Sequence, residues 1–158
     1  MKSTLPFLLL AFVLILSACA PKPPASPASP VALANPPASG GGATDSMQMD
    51  QQGAVIVEVT PLNLSAPGST LNFQVAFNTH SVDLSMDFTK LATLSTDNGN
   101  FVQATAWDGP KGGHHVLGTM RFPATENGKS LLDGATRVTL TLKDVDAPER
   151  VFTWNLGK

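Results

Sequence analysis

From Ala54 to Lys158 the chain alternates apolar and polar residues in short runs, and each run ends in turn residues. "STLNFQVAF" (69–77) places Leu71, Phe73, Val75 and Phe77 on one side. "SVDLSMDF" (81–88) does the same with Val82, Leu84, Met86 and Phe88. "ATRVTLTL" (135–142) alternates Val138, Leu140 and Leu142, and "RVFTWNL" (150–156) alternates Phe152, Trp154 and Leu156. "AVIVEVT" (54–60) is a β-branched run, and "FVQATAW" (101–107) and "VLGTMRF" (116–122) are shorter strands. A period of two is the mark of a strand with one buried face, and no long 3.6-residue stripe competes with it.

Turn chemistry separates the runs. "APGS", "DNGN" (97–100), "ATENGKS" and "DVDAPE" all interrupt the apolar pattern. Asn98-Gly99 is a strong hairpin signal, because both residues tolerate positive φ. The expectation is all-β: an immunoglobulin-like antiparallel β-sandwich of about seven or eight strands, with a small Greek-key barrel as the alternative. Thr89-Lys90 interrupts 82–95 without Gly or Pro, and the apolar phase shifts there. A β-bulge in one bent strand explains the shift better than a hairpin. In one bent strand, His80 and the loop 108–115 share an end of the fold; with a hairpin they part.

The first half of the chain follows another pattern. "MKSTLPFLLLAFVLILSAC" has a basic start, an apolar run from Leu5 to Leu16 and small residues at Ser17 and Ala18. This is the layout of an export signal, too short to span a bilayer. "LSAC" at 16–19 resembles the lipobox of bacterial lipoproteins. That resemblance covers residues 1–19 only. It implies cleavage before Cys19, acylation of Cys19 and anchorage in membrane lipid. Ala20 stands where an aspartate often marks inner-membrane retention in such lipoproteins. The resemblance therefore implies the cell envelope, with the outer membrane facing the periplasm favoured in a Gram-negative cell.

Residues 20–53 are rich in Pro, Ala, Ser and Gly and poor in large apolar side chains. Such a segment cannot bury enough surface to offset its ordering entropy. The organisation expected is a signal peptide (1–18), a lipidated Cys19 with a disordered tether (19–53) and a β domain (54–158).

Composition then narrows the chemistry. Cys19 is the only cysteine. Acylated, it leaves no thiol for redox, nucleophilic or Cys-zinc chemistry. Loss of Lys2 leaves nine of the ten basic residues against twelve acidic ones, with no basic run, so nucleic acid is not an expected partner. No GxSxG, HExxH or glycine-rich phosphate loop is present, and no catalytic residues are assigned.

Three histidines fall at strand ends: His80, His114 and His115. With Asp108 they form one candidate site for copper or zinc. Adjacent His114 and His115 diverge on an extended backbone, so His80 would pair with one of them, aided by a curl at Gly112-Gly113. The other reading has these histidines bonding to the loop, to Asp108 or to Asn78. Met47 and Met49 are soft ligands two residues apart, a second copper candidate. Trp107 and Trp154 read as core anchors, and Met86 and Met120 as core packing. The function expected is non-enzymatic binding of an envelope protein partner or small ligand, with a metal-binding module as the alternative.

Overall fold

A computed structural model of the chain describes residues 46–157. The signal segment, Cys19 and the tether up to residue 45 lie outside the described residues, as does Lys158. The elements in chain order are β1 (Gln48–Asp50), β2 (Ile56–Pro61), β3 (Thr70–Asn78), a helical turn α1 (Phe88–Leu91), β4 (Ala92–Thr96), β5 (Phe101–Gln103), β6 (Ala106–Trp107), β7 (His115–Pro123), β8 (Thr125–Glu126), β9 (Lys129–Ser130), β10 (Arg137–Lys143) and β11 (Glu149–Asn155). Among the described residues, no helix is long and apolar enough to cross a membrane.

The all-β expectation holds, but the architecture named from sequence does not. The strands form three separate antiparallel sheets, ordered β1-β2-β3-β7-β6, β11-β10-β4-β5 and β8-β9. None is closed into a Greek-key barrel or curled into an immunoglobulin-like β-sandwich. Three departures from the expected strands account for this. Residues 81–88 are not a strand. Residues 101–107 are two short strands, β5 in the four-stranded sheet and β6 in the five-stranded one. The chain changes sheets at Ala104-Thr105, where Ala104 N donates to Ala92 O and Thr105 N to Arg121 O. The third departure is β1, which lies inside the stretch assigned to the tether and pairs with β2 from Gln48↔Val59 to Asp50↔Val57.

The alternation located the core correctly. Leu71, Phe73, Val75 and Phe77 of β3 are fully buried, as are Val138, Leu140 and Leu142 of β10. They join Val57, Val59, Leu94, Met120, Phe122, Phe152 and Trp154 in one apolar cluster. Burying a side chain of this size stabilises the fold by about 1.5–3 kcal/mol. Phe73 packs edge-on to Phe122 and at a tilt to Trp154, while Phe77 stacks on Phe88 at 4.1 Å between centroids.

In 81–88 the apolar residues still point inward. Leu84 and Phe88 are buried, and Val82 and Met86 pack against the core. The backbone, however, has other partners. Leu84 O accepts from Gly112 N, and Asp87 caps α1 by accepting from Thr89 N. The phase shift at Thr89-Lys90 is therefore a helical turn, neither a bulge nor a hairpin.

The turns divide similarly. At 97–100 only Gly99 takes positive φ (91°), and Gly99 N donates to Thr96 O. The two-residue turn with positive φ at both positions is Asn127 (51°) and Gly128 (79°), between β8 and β9.

β1 is held across both large sheets. Its Gln48 carboxamide accepts from Thr153 N and donates to Thr153 O, filling a strand partner's place on the free edge of β11. Trp154 Nε1 donates to Ser46 O at 2.6 Å. Arg150 is fully buried and donates to Val145 O, Gln52 O and Asp50 Oδ1. A buried guanidinium is tolerable only when its donors are met and its charge is paired, and Asp50 supplies the pairing.

Candidate functional site

The loop "WDGPKGGHHVLG" (107–118) is built around Trp107. Its ring lies edge-on to Phe77 and Phe88, and its Nε1 donates to Pro110 O at 3.4 Å. The glycines beside it are there for space. A Cβ on Gly109 would fall 2.3 Å from the indole, and one on Gly118 would fall 2.5 Å from the Gly109 backbone. Asp108 is occupied structurally. It accepts from Thr119 N at 2.5 Å and from Arg121 Nη2 at 2.7 Å. The Thr119 amide, with help from Arg121, holds its carboxyl below the ordinary value of 3.8. Trp107 is thus partly buried in the core's margin, and Trp154 is a full core residue.

His80 and His115 do come together, with ring centroids 5.5 Å apart in an edge-to-face arrangement. The cause is register. β3 and β7 pair through Asn78↔His115, and Thr79 N then donates to His114 O at 2.8 Å. His115 Nδ1 bonds to Asn78 Oδ1 at 2.9 Å, one of the structural roles the sequence allowed. His114 contributes its carbonyl. Gly112 and Gly113 do curl the loop, at φ 80° and 110°.

A metal centre does not follow. Among the described residues there is no group of three or more His, Cys, Asp or Glu side chains placed to hold an ion. Asp108 is committed to Thr119 and Arg121, so the His80/His114/His115/Asp108 site for copper or zinc is not formed. The second candidate fails for a different reason. Met47 and Met49 are not in a flexible arm. Met49 is in β1, where its sulfur accepts from Gln51 Nε2, and Met47 directly precedes it.

Those methionines instead belong to a surface the sequence did not single out. The register sets Met49, Glu58, Ala76 and Leu117 in one row across β1, β2, β3 and β7. Thr60, Gln74 and Thr119 form the next row, and Ile56, Asn78 and His115 another. These are the outward positions: in β2 and β3 they alternate with buried Val57, Val59, Phe73, Val75 and Phe77. Met47 is 52% exposed and Leu117 57% exposed. Between the rows is an open hollow of about 180 Å³, lined by Met47, Glu58, Thr60, Gln74, Ala76 and Leu117. The signal for it in the sequence was weak: "MQM" and Ile56 place apolar residues where a solvated face would be polar.

Compared with protein-family models and with curated proteins, the chain matches none. Among solved structures it is similar to a DUF4426 family protein from Pseudomonas aeruginosa PAO1, at 12% identity over 69% of this chain and 91% of that one, with a TM-score of 0.40. A likeness this slight carries no argument about function.

Proposed function

We propose that this is a lipid-anchored bacterial envelope protein whose β domain binds a partner protein without catalysing a reaction. The outer face of the five-stranded sheet is the contact surface. One observation carries this: exposed Met47 and Leu117 line a hollow on that face, and exposed Met49 and Ile56 lie on the same face beside Glu58. A monomer surface scatters its large apolar side chains; a gathered set marks contact with something else. The hollow's size favours a protein over a small ligand. At about 180 Å³ it is below the roughly 300 Å³ at which ligand pockets begin, and it is open to one side.

The anchor reading rests on the lipobox-like LSAC and the export-signal pattern before it. Acylation of Cys19 tethers the domain to membrane lipid, since two or more acyl chains hold where one binds only marginally. Ala20 supports the outer membrane facing the periplasm.

A photo-crosslinking amino acid placed at Leu117 in the full chain, in cells, tests the surface. The expected result is a discrete adduct that is absent when the same group replaces Thr141 on the other sheet. No adduct at 117, or the same adducts at both positions, overturns it. Cys19→Ser tests the anchor: processing and membrane association are expected to be lost, and their persistence would refute acylation there.

A further inference from the structure

We propose that the hollow on the five-stranded sheet receives a lysine or arginine side chain of the partner protein. This deepens, and rests on, the reading of that face as the contact surface. Among the described residues, Glu58 is the single charged one lining the hollow. It is half-buried, and while its backbone pairs within the sheet, its carboxylate makes no hydrogen bond or ion pair with the described residues. Around it the lining is apolar at Met47, Ala76 and Leu117 and neutral polar at Thr60 and Gln74. Apolar walls leading to one carboxylate match a long cationic side chain, whose methylenes lie on apolar surface while its head meets an acceptor.

The rival occupants fit worse. A purely apolar side chain would strip water from the Glu58 carboxylate and return nothing. An acidic side chain or an anionic lipid headgroup would meet the same carboxylate as a like charge. The small volume admits one side chain rather than a folded element. Glu58 also sits mid-row, between Met49 and Ala76, so a cation there is shielded by apolar neighbours on both sides.

The test uses the full chain in neutral detergent, with its methionine methyl groups labelled with ¹³C for NMR. The probes are three capped tripeptides, Leu-X-Leu, with lysine, norleucine or glutamate at X. The Met47 methyl reports the hollow, and the buried Met120 methyl reports the fold. The lysine peptide is expected to shift Met47 saturably and to bind at least about fivefold more tightly than the norleucine peptide. The glutamate peptide is expected to leave Met47 unmoved. Glu58→Gln should bring the lysine peptide down to the norleucine level while Met120 stays in place. Equal binding of lysine and norleucine, or lysine binding unchanged in Glu58→Gln, overturns the cation. The contact surface itself would stand or fall separately, on the Leu117 crosslink.

Discussion

The two large sheets turn very different faces to water. On the four-stranded sheet the outward rows read Val151, Thr141, Thr93, Gln103 and then Thr153, Thr139, Ser95, Phe101. Five of those eight side chains are hydroxyls, and they bond among themselves and to nearby backbone, as in Thr139 with Thr153 and Ser95 with Thr139 O. Its two exposed apolar residues, Val151 and Phe101, lie on opposite edge strands. On the five-stranded sheet exposed Met47 and Leu117 instead line one hollow, and Met49 shares the row of Leu117 across Glu58 and Ala76. The lesson is about arrangement. Exposed apolar residues occur on both faces; only one face collects them where a partner could cover them together.

That face exists only while β1 stays in place, because β1 and the residue before it supply Met47 and Met49. The largest effect is therefore expected from unlatching β1. Arg150→Ala leaves the Asp50 carboxylate without its ion-pair partner and should destabilise the domain by about 3–5 kcal/mol in chemical denaturation. The double change Asp50→Leu with Arg150→Met should recover most of that loss. If the double variant were as unstable as the single one, the latch would be more than a compensated charge pair.

Next in size is Gly118→Ala. Its Cβ would meet the Gly109 backbone, so a loss of about 1–3 kcal/mol is expected, with the Trp107 environment changed in fluorescence. Leu117→Asp should leave the denaturation midpoint within error but reduce crosslinking from a probe at Met49 roughly tenfold, as expected for a central contact residue. Thr141→Asp on the other face should change neither, and a loss of crosslinking there would undo the contrast between the faces.

Acid gives a smaller effect. Asp97 is held below 3.8 mainly by the Thr136 hydroxyl, and Asp108 mainly by the Thr119 amide. A carboxyl whose folded value is lowered adds stability above the unfolded value and loses it as pH falls through the folded one. The thermal midpoint should thus drop as pH is lowered from about 5 toward 3. Asp108→Asn should flatten part of that slope. The smallest effect is expected at His80→Ala, within about 0.5 kcal/mol, because the ring is exposed and makes no hydrogen bond with the described residues.

Much of this fold was legible in the sequence, because an antiparallel strand with one buried face writes its orientation in every second residue. β3 and β10 are buried at the residues the alternation names. The same rule misled at 82–88. Any extended chain has a period near two, so Val82, Leu84, Met86 and Phe88 reported which side faces the core and not whether the backbone pairs. β1 was hidden for another reason. What holds it is polar and distant: Gln48 reaches residue 153, and Asp50 reaches Arg150. No local pattern records a partner a hundred residues away. The histidines were legible as a pair, though by register between β3 and β7 and not through the segment after them. The proposed contact face was missed because its residues are spread over four strands and come together only through register.

The attachment of β1 also sets how the domain would carry load. A pull on the chain ahead of Ser46 arrives first at the Ser46 carbonyl held by Trp154, then at Gln48 on Thr153, and then at Asp50 on Arg150. These anchors run in order along the first strand and back down the last one. Tension is thus passed from the segment around β1 to β11, entering the core at Trp154, and the bonds give way one at a time. Such a domain would lose β1 under modest force while the strands β2-β3-β7-β6 and β11-β10-β4-β5 stayed paired.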